Sequence, residues 1–281
     1  MPELPEVETI ARDLDRAISG RRIAGAKLFW PKTFDVRGPS LRSLRGDRIT
    51  RVHRIGKFVV MDLESGRHIA VHLRMTGQLI ALANGSGRKA ATDGAPRAPS
   101  DAKHTRLLLR FEDGGTLAFS DTRKFGRWRI VEGDVREALG IGVDPFDPAL
   151  TPERLYEVTR GRATPIKTWL LDQRHLSGIG NIYASEALYD ARIRPTRRAG
   201  RLSRAQSAAL LHSLRKVMRK AISYRGSSVD DYVDGAGMPG EFQKKLAVYG
   251  RGGMPCRRCK TVIRRVVLAQ RGTFFCPVCQ L

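Results

Sequence analysis

The first periodic signal along the chain is a stripe of apolar residues between positions 7 and 18. The stripe recurs every three or four positions, which is the spacing of one face of a helix. Its members are Val7, Ile10, Leu14, Ala17 and Ile18. The pattern therefore predicts a helix that begins almost at the N-terminus.

From about residue 21 to residue 131 the pattern changes to the short alternating runs typical of β-strands. Ile69, Val71 and Leu73 alternate with their neighbours. Four other short apolar runs are separated by Gly and Asp residues: Phe58–Leu63, Leu107–Phe111, Thr116–Phe119 and Trp128–Val131. Several short strands of this kind favour a β-sandwich or a barrel-like domain. Residues 83–102, rich in Ala, Gly, Ser, Asn, Pro and charge, are predicted to form a flexible loop.

The second half of the chain is predicted to be helical, after a linker that contains Pro145 and Pro148. Thr151, followed by a proline and a glutamate, is a typical helix start. Ser203–Gln206 has the composition of a capping box. It opens a helix with a strong apolar face formed by Leu210, Leu211, Leu214, Val217, Met218 and Ile222.

A glycine-rich turn lies between these two helices, in the run Ser177–Tyr183. Gly178 and Gly180 stand just before Asn181 and a helical pattern. Such a turn lets backbone N–H groups approach a phosphate at a helix start. A plain helix–helix turn would have the same composition, so both interpretations stay open.

All four cysteines lie near the end of the chain, as two C-x2-C pairs separated by sixteen residues: Cys256, Cys259, Cys276 and Cys279. This spacing predicts a tetrahedral four-thiolate zinc site on a β-hairpin. Four thiolates leave no open position on the metal, so one structural Zn²⁺ is expected. Disulfides are the alternative, and they are disfavoured in a chain with no secretory signal.

Arg271 lies where the turn of this hairpin is expected, and a zinc-pinned hairpin carrying an arginine could contact DNA. The alternative is a small domain that merely caps the fold. Together the patterns predict an α+β multidomain fold, with an N-terminal helix and β-sandwich domain over 1–134, a linker over 135–150, a helical domain over 151–248 and a zinc finger over 249–281.

Charge and composition indicate which kinds of partner this protein could bind and whether it is folded. The 281 residues include 51 Lys and Arg against 28 Asp and Glu, a formal net charge of +23. Such an excess destabilises a compact fold by self-repulsion and indicates a polyanionic partner, with nucleic acid the first choice. An anionic membrane surface or a merely solvated arginine-rich surface are the alternatives. A hydrophobic fraction of 41% excludes wholesale disorder.

Several features point to a cytoplasmic protein. No stretch approaches the ~18 continuous apolar residues that a membrane span needs. The first residues, Met1–Glu6, are acidic and proline-rich, unlike a secretory signal. Nothing in the sequence indicates oligomerisation, so a monomer without membrane association is expected.

The N-terminus itself is a candidate reactive group. Removal of Met1, which a small second residue normally permits, would leave Pro2 as a secondary amine. An α-amino group titrates near ~8, so part of it is neutral and nucleophilic at neutral pH. Glu3 is adjacent and could act as an acid or base. The ordinary alternatives are a proline that simply starts the chain and an acid that favours a helix start.

In these features the sequence resembles the formamidopyrimidine-DNA glycosylases of the Fpg/Nei family. The resemblance is carried, in order and over nearly the full length, by Met1–Thr9, Ile55–Lys57, His72–Gly77, Asp121–Gly126, Gly178–Glu186, Val248–Arg251 and the four-cysteine finger. It implies removal of oxidised purines, chiefly 8-oxoguanine and formamidopyrimidines, from duplex DNA, followed by strand cleavage at the abasic site.

The resemblance also implies roles for individual residues. Pro2 corresponds to the nucleophile that attacks C1′, Glu3 to the acid/base that helps open the sugar ring, and Lys57 to a lysine that contacts phosphate and aids proton transfer. Because the damaged base must leave the stack, three side chains are expected to fill the void: Met75, Arg123 and Phe125. Without the family, Met75 and Phe125 would be interpreted as core and Arg123 as a surface charge.

Further DNA contacts are implied for His72, His104, Lys167, Asn181, Tyr249 and Arg271. The resemblance places Asn181 in a helix–two-turn–helix motif of the helical domain. Residues 226–242 align with the loop that covers the everted base. The 83–102 segment is longer than in many relatives, and contact with DNA there stays open.

The sequence is also compatible with two other functions. The sister branch of endonuclease VIII-like enzymes acts on oxidised pyrimidines with the same chemistry. The opening Glu3–Glu6 and the complete set of void-filling residues favour the purine branch. A zinc-finger DNA-binding protein without enzymatic activity explains the charge and the cysteines, but it leaves Pro2 and Glu3 unexplained.

Overall fold

Helix α1, Leu4–Ile18, is the first element of the computed structural model, which describes residues 1–83, 103–229, 232–235 and 237–281. Val7, Ile10, Leu14 and Ile18 of its apolar stripe are buried and Ala17 is partly buried, as the periodicity predicts, and the helix begins three residues earlier than the stripe. The carboxylate of Glu6 accepts a 2.8 Å hydrogen bond from the backbone N–H of Glu3, which satisfies one of the donors that a helix start leaves without a partner.

Two four-stranded antiparallel sheets follow α1. In the first the strand order is β1-β6-β7-β5, and in the second it is β2-β3-β4-β8. The strands are β1 Ile23–Leu28, β2 Ile49–Ile55, β3 Phe58–Leu63, β4 His68–His72, β5 Gly77–Leu82, β6 Thr105–Phe111, β7 Thr116–Asp121 and β8 Arg127–Val131. A short helix, α2, spans Val135–Leu139 within the stretch predicted to be linker.

One apolar cluster joins the two sheets and α1. Leu109 and Phe119 contribute from the first sheet, and Met61 and Trp128 from the second; each is fully buried. The Phe119 and Trp128 rings meet edge to face, with their centroids 5.9 Å apart. The β-sandwich that the alternating pattern predicted is therefore present, with α1 packed into its core.

The helical part of the chain contains α3 Pro152–Thr159, α4 Ile166–Leu171, α5 Asn181–Asp190 and α6 Arg204–Ser223. The Thr151 hydroxyl accepts a 3.1 Å hydrogen bond from Arg154 N and caps α3. The predicted capping box of α6 is formed reciprocally, with Gln206 N donating to Ser203 Oγ and Ser203 N donating to Gln206 Oε1. None of the helices in the described residues is long and apolar enough to cross a membrane.

The C-terminal hairpin consists of β9 Arg264–Leu268 and β10 Arg271–Phe275. The turn is formed by Ala269 and Gln270, both with positive φ, the backbone geometry of a two-residue hairpin turn. Arg271 is thus not in the turn, as the sequence suggested, but is the first residue of β10, where it is exposed.

The chain divides into two compact units that do not follow the order of the sequence. Met1–Leu139 and Tyr224–Glu241 form the first, and Gly140–Ser223 with Phe242–Leu281 form the second. The sequence-based division instead placed residues 224–241 in the helical domain. In the structure this segment packs with the first unit, because the ring of Tyr232 enters the apolar cluster around α1. The predicted loop at 83–102 lies outside the described residues apart from Ala83.

Asp47 anchors two connections of the β-sandwich and generates a prediction about stability. Its carboxylate is buried and accepts hydrogen bonds from the Ser65 backbone and hydroxyl, from Arg48 N and from the Arg67 guanidinium at 3.0 Å. Burial alone would raise the pKa of Asp47, but the hydrogen bonds from Ser65 and Arg67 outweigh it, so the pKa lies below its usual value.

We expect Asp47→Asn to lower the free energy of unfolding at pH 7 by about 1.5–3 kcal/mol, the usual contribution of hydrogen bonds to a charged group. The folded-state pKa is depressed, so the carboxylate stabilises the fold above its unfolded pKa near ~3.9, and that stability is lost as pH falls through the folded value. Urea unfolding should therefore show a smaller difference between variant and wild type below about pH 4. Glu64→Gln, at a half-exposed position in the same connection, should change stability by less than about 1 kcal/mol. A difference for Asp47→Asn that is independent of pH would contradict this role.

Candidate active site and nucleic-acid interface

Pro2 and Glu3 lie at the buried start of α1. Pro2 is buried, and Glu3 is 3% exposed. The Pro2 nitrogen is joined to Met1 by a peptide bond, so removal of Met1 would convert it into a secondary amine at a fixed place on the first unit. A partial positive charge at a helix start favours an anionic side chain there, which suits Glu3.

Glu6 connects this helix start to the 224–241 segment. One carboxylate oxygen accepts from Glu3 N, and the other accepts a 2.8 Å hydrogen bond from Ser227 N. Gly226 has φ of +84°, and a Cβ at this position would lie 2.9 Å from the Glu6 side chain, so only glycine fits. The buried carboxylate therefore holds two backbone segments that are more than 200 residues apart in sequence.

Arg225 fastens the same segment farther along α1. Its guanidinium donates to Asp13 at 2.5 Å and to Asp234 at 2.6 Å. Asp13 also accepts from Gly235 N, and Asp234 accepts from Met238 N. Both carboxylates are largely buried, where a paired guanidinium is needed to offset their desolvation. The segment aligned with a base-covering loop is thus tied to the helix that carries Pro2.

Lys57 and His72 are brought together by strand pairing. Lys57 lies in the two-residue turn between β2 and β3, and the next residue, Phe58, pairs with His72. Burial, together with the charges of Arg74 and Lys57, lowers the pKa of His72 to about 3, so its ring is neutral. Nδ1 accepts from Arg74 N at 3.0 Å, which leaves the proton on Nε2, where it can be donated to a phosphate oxygen.

The three predicted void-filling residues lie on two loops that Asp121 joins. Its carboxylate accepts from the Thr76 hydroxyl on one loop and from Arg123 N and Gly126 N on the other. Met75 is 38% exposed and Phe125 is 48% exposed, an unusual degree for large apolar side chains. The Arg123 guanidinium lies over the Phe125 ring, 5.1 Å from its centre. The structure thus presents both apolar side chains and the arginine to solvent, rather than in a core.

His104 lies beside the same Asp121. Its carbonyl accepts from Asp121 N at 2.9 Å. Arg106 donates to the carbonyls of Lys103 and Asp121 and lies 3.4 Å from the His104 ring nitrogen. Arg106 is buried and so braces this edge of the first unit. The half-buried His104 is the second residue after the undescribed range 84–102.

In the second unit, Lys167 and Asn181 converge on the strand that begins at Arg271. Lys167 donates to Thr273 Oγ1 at 2.8 Å and to the Gly272 carbonyl at 3.2 Å, and the Asn181 amide donates to the same carbonyl at 3.2 Å. Lys167 is fully buried. The ammonium faces the hairpin, and the predicted contact of Lys167 with a phosphate stays a prediction. Its role here is to hold the exposed Arg271 in place.

Glu186 fixes the position of Tyr249. Its buried carboxylate accepts three backbone hydrogen bonds of 2.8–2.9 Å, from Ala247, Val248 and Tyr249. Burial raises the pKa of Glu186 in spite of these donors. The Tyr249 ring meets Phe274 of β10 edge to face at 5.4 Å, so the half-buried tyrosine lies against the hairpin that carries Arg271.

The four cysteines form the structural zinc site that their spacing predicts. Their Sγ atoms all lie within 4.8 Å of one another, and the thiols are not linked by disulfides. Two of the separations are 3.9 Å, for Cys256 and Cys279, and 3.4 Å, for Cys259 and Cys276. A tetrahedral Zn²⁺ with Zn–S bonds of about 2.3 Å needs sulfurs about 3.8 Å apart. The Tyr189 hydroxyl lies 3.3 Å from the Cys256 sulfur.

The sequence patterns did not identify the charged residues that hold the predicted site residues in place. Glu6, Asp121 and Glu186 all lie inside the motifs on which the resemblance rests, but none was given a role. Arg225 lies just before the 226–242 segment and was not singled out. An acidic residue inside an otherwise apolar helix pattern is the one signal that could have indicated Glu6, since such a carboxylate needs a partner when it is buried.

Comparison with protein families matches three models along the chain. The formamidopyrimidine-DNA glycosylase N-terminal domain matches residues 1–128, the H2TH domain of the same glycosylase matches 141–233, and the zinc finger found in FPG and IleRS matches 253–281. The three matches cover most of the chain, in the order that the motifs predicted.

Individual relatives agree over their whole length. A formamidopyrimidine-DNA glycosylase of Chloroflexus aggregans is 44% identical over 285 residues, covering 100% of this chain and 99% of the relative. Among solved structures, a Lactococcus lactis FPG mutant bound to DNA containing Fapy-dG has a TM-score of 0.85 at 33% identity, with 99% of each chain covered. The L. lactis Fpg bound to abasic-site DNA has a TM-score of 0.84 at 32% identity, also with 99% of each chain covered.

The zinc site generates a prediction. Since metal binding energy is folding energy in such small modules, we expect Cys259→Ser to lose zinc on dialysis against a mild chelator and to make residues 249–281 sensitive to limited proteolysis. Val278→Ala, an exposed position between two of the ligands, should keep one zinc per chain by elemental analysis and stay resistant. Full zinc content in Cys259→Ser would show that the metal is bound elsewhere.

Proposed function

The chain belongs to the formamidopyrimidine-DNA glycosylase family, and we propose that it is a bifunctional DNA glycosylase and AP lyase of base excision repair. Its substrates are oxidised purines, 8-oxoguanine and formamidopyrimidines, in duplex DNA. The observation that carries the proposal is the buried placement of Pro2 and Glu3 at the start of α1, beside the 224–241 segment.

The first chemical step uses the Pro2 amine after Met1 is removed. Its lone pair forms a bond to C1′ of the damaged nucleotide, while the glycosidic bond breaks and the base leaves with the bonding electrons and takes up a proton. The nitrogen bonded to C1′ gives up its N–H proton, which balances the proton taken up by the departing base. Glu3 donates a proton to the ring oxygen, the C1′–O4′ bond breaks as the nitrogen lone pair forms a second bond to C1′, and a cationic iminium remains. A secondary amine suits this step because its iminium stays positively charged without a proton.

Strand cleavage follows from that cation. Loss of a proton from C2′ expels the phosphate on C3′, and loss of a second proton, from C4′, expels the phosphate on C5′. Lys57, close to His72 and 6% exposed, supports these steps as a phosphate contact and proton-transfer aid. Hydrolysis of the iminium restores the amine and leaves a one-nucleotide gap that ends in phosphates.

Base eversion is supported by the two loops that Asp121 joins. When a base leaves the stack, an apolar side chain can replace its stacking, and an arginine can bond the base left opposite. Met75, Phe125 and Arg123 supply these groups on one rigid platform. The loop proposed to cover the everted base is residues 226–242, and the 224–241 segment that contains most of it is tied to α1 by Glu6 and Arg225.

Residues of both units are proposed to contact the phosphates of the DNA backbone. His72, as a neutral Nε2–H donor, and the nearby His104 are proposed as contacts on the first unit. Asn181, Tyr249 and the exposed Arg271 are proposed on the second, with Lys167 supporting the hairpin. Such contacts fix register without reading sequence. We further propose a monomeric, cytoplasmic enzyme associated with the bacterial nucleoid.

A borohydride trapping experiment tests the proposed chemistry. With abasic-site duplex, we expect the wild-type protein to form a reduced covalent adduct and Pro2→Gly to form at least about tenfold less, because only the secondary amine gives the persistent cation. Binding of a tetrahydrofuran abasic analogue, which cannot form the iminium, serves as the control and should be similar for both proteins. Equal trapping of the two proteins would remove Pro2 from the chemistry.

Lesion preference tests the purine assignment against the endonuclease VIII-like alternative. In single-turnover assays with matched duplexes, we expect faster release of 8-oxoguanine opposite cytosine than of thymine glycol, by about tenfold or more. The assay uses excess protein, so that only the excision step is compared. Faster release of thymine glycol would assign the chain to the pyrimidine branch.

A further inference from the structure

A cavity of about 430 Å³ on the second unit is lined by three arginines, Arg197, Arg198 and Arg201. They lie between α5 and α6, around a short 3₁₀ turn, Ala199–Arg201. None of them is among the residues of the active site or the hairpin described above. The cavity, with these three side chains, is called the arginine pocket below.

The backbone beneath the arginine pocket is firmly held. Ile166 N donates to the Arg197 carbonyl at 2.7 Å, and Ala199 N donates to the Thr164 carbonyl at 2.9 Å. Ala199 is fully buried. Gly200 packs so closely on Arg162 that a Cβ would lie 2.9 Å from its backbone nitrogen. The pocket is therefore built on a fixed segment that pairs with the start of α4.

The three guanidinium groups have no carboxylate partner within the described ranges of the chain. Some arginines in other parts of the structure are paired with carboxylates, as Arg174 is with Asp172 at 2.6 Å and Arg225 is with Asp13 at 2.5 Å. In the pocket, the Nε of Arg197 is inaccessible to solvent and has no acceptor among the described atoms. Three like charges around one concavity repel one another unless an anion enters.

The surroundings add positive charge. Arg160 and Arg204 lie over the Tyr156 ring, with their guanidinium carbons 4.0 and 4.5 Å from its centre. On α3 the carboxylate of Glu157 is engaged by Arg154 at 3.4 Å. Arg160 follows α3 and Arg204 begins α6, so further cations lie in the same unit as the pocket.

We propose that the arginine pocket binds backbone phosphates of duplex DNA outside the damaged nucleotide. Guanidinium forks match phosphate oxygens in pairs, and the pocket lining offers no aromatic ring on which a base could stack. The site is therefore a sequence-independent grip on the duplex. It rests on the proposed function only in that DNA is the substrate. Its segment is hydrogen-bonded to α4, the helix whose Lys167 supports the hairpin of Arg271.

The salt dependence of binding tests the proposal with the zinc-loaded full chain. Arg197→Gln/Arg198→Gln/Arg201→Gln should bind a 30-base-pair duplex about tenfold or more weakly at low salt, with or without a tetrahydrofuran lesion. The slope of log K against log salt should shrink by about 1–3, since each phosphate contact contributes about 0.9. Single-turnover excision at saturating protein should stay within twofold of wild type, and borohydride trapping should persist.

A matched control removes three exposed arginines from the first unit, Arg42→Gln/Arg45→Gln/Arg51→Gln. It has the same net charge and should change the slope by less than the pocket variant. Should the triple pocket variant misfold, Arg198→Gln/Arg201→Gln, at two exposed positions, should still lower the slope by about 1. An unchanged slope, or an equal loss in the control, would overturn the proposal.

Inorganic phosphate distinguishes a free anion from the DNA backbone. If phosphate raises the Tm of wild type but not of the pocket variant, while the DNA slope is the same for both, the pocket takes a free anion and the proposal fails. Failure of the proposed catalytic function would instead appear as loss of borohydride trapping in the wild-type protein, whatever the slopes.

Discussion

The arrangement of the active site depends on the hydrogen bonds that the buried carboxylate of Glu6 accepts. It accepts backbone hydrogen bonds from Glu3, next to the proposed nucleophile, and from Ser227, in the segment proposed to cover the base. A nucleophile at a chain terminus would otherwise fray, because terminal residues are poorly ordered unless they are tied down. Burying a charge is costly unless it is hydrogen-bonded, and these two hydrogen bonds offset that cost for Glu6. Because the Glu6 side chain lies close to Gly226, residue 226 cannot carry a side chain.

The same principle recurs in both units. Asp121 joins the loops of Met75 and Phe125, Glu186 collects three backbone N–H groups before the zinc finger, and Lys167 holds the hairpin of Arg271. In each case a buried charge binds backbone or hydroxyl groups, and the group proposed to meet DNA is a neighbour. A few buried charges organise the fold, while exposed arginines remain available for phosphates.

Local patterns predicted what depends on neighbours in sequence. The apolar stripe predicted α1, the Ser203–Gln206 box predicted the start of α6, and the cysteine spacing predicted the zinc site. Contacts between residues that are distant in sequence could not be predicted from such patterns. The burial of Lys167, the attachment of 224–241 to the first unit and the pairing of Arg225 with Asp13 depend on tertiary packing, which hydrophobic periodicity does not encode. The turn lies at Ala269 and Gln270, directly before Arg271, and it could not be predicted because positive φ is unusual for alanine and glutamine.

The central claim is that the Pro2 amine itself becomes bonded to DNA, and locating that bond tests it most directly. Wild-type protein would be trapped on abasic duplex with borohydride, digested with nuclease and protease, and sequenced by tandem mass spectrometry. The account predicts that the sugar remnant lies on a peptide that begins at Pro2 and lacks Met1. A remnant on Lys57 or on any other lysine, with Pro2 unmodified, would contradict it.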